Sequence, residues 1–287
     1  MATAYFARSA RLLAGVAELL GEHKTAQRMA ELAEEIRACF AAEFITPAGR
    51  LLSDSQTAYT LAICFDLFDT AGQRTRAGSR LAEIVAGGGF HIGTGFAGTA
   101  LICDALAATG HLDTAYHLLL TETCPSWLYQ VSMGATTLWE RWDSMLPDGS
   151  INPGDMTSFN HYAYGAVADF LHRVVGGLAP TGPGYRSFAV APRPGGGLRH
   201  CSTRHETPYG PARVDWQRLD GRLEVTVEVP VGSTAVITLP GPDGGPGPQP
   251  PRRVGPGRHT VSTPYRSADD DPDRPSQVDR LGAAPPP

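Results

Sequence analysis

The sequence predicts a mainly helical protein, a stack of antiparallel helix hairpins forming an α/α toroid or a solenoid, followed by a small antiparallel β domain and a disordered tail. Three observations predict it. Apolar residues recur at intervals of three and four from residue 1 to about 175. The interval becomes two beyond residue 177, and half of the 24 prolines crowd into residues 241–287.

The helical part reads in order. Leu12, Leu13, Val16, Leu19 and Leu20 make one apolar recurrence, and Ala30, Leu32, Ile36 and Phe40 repeat it after the "GEHK" turn. "SDSQTAYTLAICFDLFDTAGQ" offers Ser53 or Asp54 as an N-cap, with Tyr59, Ile63 and Leu67 as the apolar side before Gly72. The next helix covers about 74–86 and stops at "AGGGF", where glycine admits a close turn. "GTGFAGTALICDALAATG" and "HLDTAYHLLLTETC" add two more that meet at Gly110-His111. Short loops and abundant alanine fit closely packed hairpins. Neither a tetratricopeptide or armadillo signature nor a βαβ rhythm is present, and no GxGxxG stands in a strand–helix context.

Beyond the joint "LAPTGPG" (178–184) the stretches "YRSFAVAPRPGGG", "RLEVTVEVP" (222–230) and "STAVITLP" (233–240) alternate, with turns at Asp220-Gly221 and Val231-Gly232. A lone hairpin is marginal, so residues 185–240 are expected to build a small β domain. The expected organisation is therefore a helical domain over 1–177, a β domain over 178–240 and a tail over 241–287. The tail is too poor in apolar side chains to offset the entropy of ordering it.

Composition excludes several classes. The formal charge is −5 and Lys24 is the sole lysine, so nucleic acid is not an expected partner. No run approaches about 18 apolar residues, and the N-terminus reads as an amphipathic helix without a signal-peptide layout, so no membrane partner is expected. The five cysteines are odd in number, scattered and without CxxC. They read as buried free thiols, which fits a reducing cytoplasm. No clear first shell of metal ligands appears and no cofactor is expected. HExxH and GxSxG are absent, and Ser132 in "YQVSMG" lacks a nucleophile elbow.

Chemistry concentrates in two stretches. In "WERWD" Glu140 is the first-choice carboxylate, because flanking Trp139 and Trp142 suit the apolar face of a sugar ring while Arg141 and Asp143 offer charged hydrogen bonds. Two tryptophans three apart also fit plain packing on a neighbouring helix with the charges in water. "NPGDMTSFNHYAY" (152–164) then sets Asp155, Asn160, His161, Tyr162 and Tyr164 at the start of a helix that Thr157 or Ser158 would cap. The two clusters read as two walls of one pocket. "GGGFHIGTGFAGT" (87–99) is a third wall, with His91 either pointing into the pore or capping the loop. Without a nearby lysine this glycine loop does not read as a phosphate cradle.

Taken together, "SWLYQVSMGATTLWERWDSMLPDG", "SFNHYAYGAV", "DSQTAY", "HIGTGFAGT" and "PGYRSFAVAPRPGGGL" closely resemble the bacterial α-L-rhamnosidase family of glycoside hydrolases over about residues 1–240. The resemblance implies an (α/α)6 barrel of six helix hairpins, here partial, followed by a β-sandwich domain. It implies cleavage of terminal α-L-rhamnose with inversion, rhamnose-containing glycosides being the substrates. Glu140 resembles the general base, and His161 resembles a histidine lining the rhamnose pocket. Trp139 and Arg141 share the motif as further substrate-binding candidates. The family's upstream Asp-Glu-Arg-Leu-Gly-Trp acid motif has no match, and seven or eight helices stand where twelve are expected. The chain is accordingly expected to be a C-terminal part lacking the general acid, and to self-associate or pair with a complementing N-terminal chain. Asp54, Asp104, Asp143 and Asp155 are the remaining acid candidates. Two other readings are a non-catalytic rhamnoside-binding remnant and a toroidal lyase or epimerase, the latter disfavoured by the Trp-Glu-Arg-Trp core.

Overall fold

The computed structural model describes residues 1–241, 245, 247 and 249–266, and the chain divides after Ala166 into two compact units. In the first unit α1 (Ala2–Leu19) and α2 (His23–Phe44) form a long hairpin closed at Gly21, whose φ of 76° suits glycine. Ala4, Ala7, Ala10 and Ala17 are the buried positions of α1, whereas Leu12, Leu13, Val16, Leu19 and Leu20 are 49–89% exposed. The apolar period does mark a helix, but the wrong stripe was expected to be buried. Both stripes are apolar, and close approach of two helices selects the one with the smaller side chains.

α3 (Gln56–Cys64) is buried almost all round, with Tyr59, Leu61, Ala62 and Ile63 in the core. Its N-cap is Ser55, whose hydroxyl accepts from the Ala58 N–H at 3.3 Å, and not Ser53 or Asp54. Asp54 instead receives the Arg80 guanidinium at 3.0 and 2.5 Å. α4 (Ala71–Gly87) opens with a capping box between Thr70 and Gln73 and rests Gly78 against Thr109. α5 (Phe96–Thr99), α6 (Ile102–Ala108), α7 (Leu112–Leu120) and α8 (Trp127–Ser132) complete the helices of this unit.

One device recurs with a displacement of 100 residues. The bridges Ile45↔Leu51 and Met145↔Ile151 each close a Pro-x-Gly turn, with φ of 82° at Gly49 and 83° at Gly149. Thr46 and Leu146 donate to Arg50 and Ser150, and Gly49 and Gly149 donate back to Thr46 and Leu146, all at 2.8 Å. The Pro-x-Gly spacing is shared, and the backbone hydrogen bonds complete the repeat.

The second unit begins with α9 (Val167–Phe170), which runs into a π-helical turn over 171–175. Strands β1 (Leu178–Pro180), β2 (Ser187–Val190), β6 (Thr234–Ile237) and β7 (Arg252–Val254) form one sheet in the order β1-β2-β6-β7. Strands β3 (His200–Thr207), β4 (Gly210–Leu219), β5 (Arg222–Val229) and β8 (Gly257–Pro264) form the other in the order β3-β4-β5-β8. All pairings are antiparallel except β2 with β6. Ala212, Val214 and Trp216, then Leu223, Val225 and Val227, alternate as buried positions, while Phe188, Val190, Ala235 and Ile237 are buried in the other sheet. That alternation gives each sheet a buried face of the kind sandwiches pack together. The expected Asp220-Gly221 turn has φ of 49° and 72°, the two positive values a tight hairpin needs.

The tail expected over 241–287 is corrected in part. Residues 252–254 and 257–264 are strands, Val254, Thr263 and Tyr265 are buried, and the Tyr265 hydroxyl donates to the Pro194 carbonyl at 2.7 Å. Dense proline and glycine masked a weak alternation that a neighbouring strand completes. Residues 267–287 lie outside the described residues.

Candidate active site

Residues 133–162 run without a helix, although the apolar pattern predicts helix to about 175. Glycines at positive φ, Gly134 at 81° and Gly149 at 83°, break it, and helical geometry resumes only with a 3-10 turn over Ala163–Ala166. Ser158 therefore caps no helix. Its hydroxyl accepts from the Asn160 N–H at 3.2 Å as a local turn.

The excursion folds back on itself as a short ribbon that joins the two sequence clusters. The Glu140 N–H donates to the Ser158 carbonyl at 2.9 Å, and the His161 N–H donates to the Leu138 carbonyl at 2.8 Å. The Thr137 hydroxyl also donates to the Phe159 carbonyl. Gln130, buried on α8, spans the segment around Glu140: its amide oxygen accepts from the Trp139 N–H at 3.1 Å and its amide nitrogen donates to the Arg141 carbonyl at 3.4 Å. Glu140 is thus fixed through backbone on both sides.

Its carboxylate is half-buried, and Oε2 accepts a long hydrogen bond of 3.4 Å from the Ser158 N–H. Among the described residues Oε1 has no hydrogen-bond donor. The His161 ring is half-buried, and its Nδ1 accepts from the Ala163 N–H at 3.3 Å, which puts the proton of the neutral ring on Nε2. That ring lies parallel to Phe96, with centroids 4.7 Å apart and planes at 9°. A carboxylate with one free oxygen and an imidazole with one free N–H are ready for a polar ligand.

The tryptophans serve packing. Trp139 is 2% exposed and meets Phe159 edge-on, while Trp142, 8% exposed, stacks on Tyr164 at 3.9 Å and meets Trp127 edge-on at 5.6 Å. Neither offers an open ring face. Arg141 and Asp143 neutralise each other through Nε to Oδ1 at 3.0 Å and Nη2 to Oδ2 at 3.2 Å. Asp143 takes a further hydrogen bond from Asn152 at 2.8 Å, and Arg141 reaches the Asp155 carbonyl at 3.3 Å, so this pair braces the excursion. Asp54 is committed elsewhere: the Arg80 guanidinium, with help from the Tyr59 hydroxyl, holds its carboxyl below the usual range. A carboxyl so held is a poor proton donor at neutral pH.

The loop carrying Phe96 is tied down by groups whose roles composition hid. Buried Gln56 donates to the His91 carbonyl at 3.0 Å and accepts from the Gly93 N–H at 2.7 Å. His91 caps rather than points inward: Nδ1 meets the Gly88 carbonyl at 2.9 Å and Nε2 the Thr123 hydroxyl at 2.7 Å. Phe96, Gln56 and Gln130 are the residues the sequence reading misses, Phe96 standing in a stretch it marks as a wall, while Ser158, expected as a helix cap, instead contacts Glu140 through its backbone. An apolar cavity of about 340 Å³ lies apart from this site, lined by Met1, Ala4, Phe40, Phe44, Leu51 and neighbours without acidic or basic side chains. Among the described residues no three His, Cys, Asp or Glu side chains converge as metal ligands, and no helix is long and apolar enough to cross a membrane.

Comparison with known proteins decides the kinship. Residues 1–175 match the bacterial alpha-L-rhamnosidase six-hairpin glycosidase domain, and residues 177–253 match the C-terminal domain of the same proteins. The chain belongs to the bacterial α-L-rhamnosidase family. An α-L-rhamnosidase of Streptomyces avermitilis is 40% identical over 240 residues, covering 84% of this chain and 23% of that protein. One from Formosa agariphila is 38% identical, covering 83% and 26%. The crystal structure of native α-L-rhamnosidase from Aspergillus terreus superposes with a TM-score of 0.86 at 42% identity, over 90% of this chain and 30% of that one. The Streptomyces avermitilis α-L-rhamnosidase complexed with L-rhamnose gives a TM-score of 0.84 at 36% identity, over 91% and 26%. The chain thus spans about a quarter of the length of the curated α-L-rhamnosidases it matches. The two matched domains meet at residues 175–177, whereas the compact units part at Ala166.

Proposed function

We propose that this chain acts on terminal α-L-rhamnosides by an inverting displacement, with Glu140 as general base. The observation that carries the reading is the ribbon placing Glu140, with one carboxylate oxygen free, beside His161, with one ring N–H free. The Streptomyces avermitilis relative is described with L-rhamnose bound, which supports a rhamnose ring as the occupant. Glu140 takes a proton from water as the water oxygen bonds to the anomeric carbon. The bond from that carbon to the leaving oxygen breaks, and an acid protonates the leaving oxygen. His161 Nε2–H donates to a sugar hydroxyl, and Trp139, Arg141 and Asp143 hold the segment rather than touch the sugar.

The acid is assigned outside the carboxyls already bound by arginine, because Asp54 and Asp143 are each held by two guanidinium nitrogens. A second copy of the chain or a complementing N-terminal chain is the proposed source, and a cytoplasmic setting fits five thiols with no disulfide among them. These same arginine pairs favour a second reading, a rhamnoside-binding protein without turnover. The test is the anomer first released from an α-L-rhamnoside, followed by proton NMR. β-L-Rhamnose is expected, whereas α-L-rhamnose as first product means retention and removes Glu140 as a water-activating base.

A further inference from the structure

One amide interrupts the apolar run of α8, "WLYQVS", and the packing does not need it. Gln130 is 2% exposed, and a buried amide is unfavourable unless both of its ends are bonded. Both ends go to the backbone that brackets Glu140. Oε1 accepts from the Trp139 N–H at 3.1 Å and Nε2 donates to the Arg141 carbonyl at 3.4 Å, while the Glu140 N–H between them goes to the Ser158 carbonyl at 2.9 Å. Three residues of extended chain span up to about 10 Å, too far for one planar amide to grip at both ends. The backbone bends at Glu140 and Arg141, and the bend brings the two groups within reach. The other large side chains of α8 brace the same excursion: Trp127 Nε1 donates to the Tyr164 carbonyl at 2.9 Å and the Tyr129 hydroxyl to the Met145 carbonyl at 2.7 Å. Gln130 alone of these three touches the backbone on both sides of the proposed base.

We infer that Gln130 is a positioning residue: its amide locks the bend that aims the Glu140 carboxylate, and the rate of the chemical step depends on it. The inference rests on the hydrolytic reading above, in which Glu140 activates water. Holding the backbone before and after a residue fixes the direction of its Cβ, and a base must lie within hydrogen-bond reach of the proton it takes. A misplacement of about 1 Å costs on the order of 10²-fold in rate. Gln130 touches neither sugar nor water in this arrangement, so its effect falls on kcat and not on KM.

Gln130→Met tests it, because methionine is close to glutamine in length and bulk and makes neither hydrogen bond. Gln73→Met is the matched control: Gln73 is also buried, and its Oε1 accepts from the Asp69 and Thr70 N–H groups at 3.1 and 3.2 Å at the start of α4. Rates are measured on p-nitrophenyl α-L-rhamnopyranoside, whose leaving anion departs with little help from an acid, and thermal melts report folding. Gln130→Met is expected to lower kcat about 10–100-fold with KM held within about twofold. Added to Glu140→Gln it should lower kcat no further, since the base it aims is already gone. Gln73→Met should lower the melt and leave kcat unchanged. Should Gln130→Met not fold, Gln130→Asn, whose amide is one methylene too short to reach both groups, is expected to show the same split. An unchanged kcat in folded Gln130→Met overturns the role, as does an equal loss in Gln73→Met or a full further loss on top of Glu140→Gln. A wild-type chain that cleaves no rhamnoside, or a Glu140→Gln variant as fast as the original, removes the base reading itself and the positioning role with it.

Discussion

Two tryptophans of one cluster provide a matched perturbation. Trp127 and Trp142 are 7% and 8% exposed and meet edge-on at 88°. Trp127 Nε1 donates to the Tyr164 carbonyl at 2.9 Å, whereas Trp142 Nε1 is buried without a partner among the described residues. Trp→Phe removes a similar volume at either place, so the lost packing nearly cancels in the comparison. At position 127 it also removes a donor to the Tyr164 carbonyl, which keeps its place in the 3-10 turn, a net loss of about 0.5–1.5 kcal/mol, while at position 142 it removes a stranded donor and recovers about 1–3 kcal/mol. Trp142→Phe should therefore be the milder change by about 2 kcal/mol or more. Urea unfolding followed by circular dichroism reads the difference. Equal costs, or a larger cost for Trp142→Phe, would show that Trp142 Nε1 has a partner and refute the argument.

Three more outcomes follow from the packing. A Cβ on Gly78 would lie 2.3 Å from the Thr109 Cβ, whose hydroxyl is tied to the Ala105 carbonyl at 2.8 Å, while Gly87 in the same helix has open space. Gly78→Ala should cost about 1–3 kcal/mol in urea unfolding, and Gly87→Ala should be neutral or slightly stabilising. Charging the exposed stripe of α1 by Leu13→Glu with Val16→Lys should leave the thermal melt unchanged and shift sedimentation toward monomer, since those side chains are about half exposed. Burial pushes the Cys64 thiol up to about 12 and Cys103 higher still, while Cys39 is exposed, so a thiol reagent at pH 8 should label Cys39 first and Cys103 only on unfolding. Raising the pH toward 9 should leave Cys103 silent in the folded chain.

Much of the fold was legible because helix and strand periods differ, and the hairpin of α1 and α2 and the alternation in β5 follow directly from it. Period alone did not say which apolar stripe of α1 is buried, since alanine and leucine both qualify. Nor did it reveal β7 and β8, where Val254 and Thr263 earn burial only through partners distant in sequence. At the site Glu140 and His161 stood out as polar groups among aromatics. Their surroundings did not: the ribbon over 137–161 is made of backbone hydrogen bonds, and Gln130 and Gln56 act through amides that any surface glutamine also carries. Cys39 is exposed where a buried thiol was expected, because an apolar sequence context is not a buried face.

The most direct test of the central claim is hydrolysis of p-nitrophenyl α-L-rhamnopyranoside by the chain and its Glu140→Gln variant, with methyl α-L-rhamnopyranoside binding measured on both. The account predicts a rate loss of about 10²–10⁴ for the variant, with affinity unchanged. A Glu140→Gln variant that turns over at the original rate would contradict it, and a folded chain that binds the glycoside without cleaving it would establish the binding reading instead.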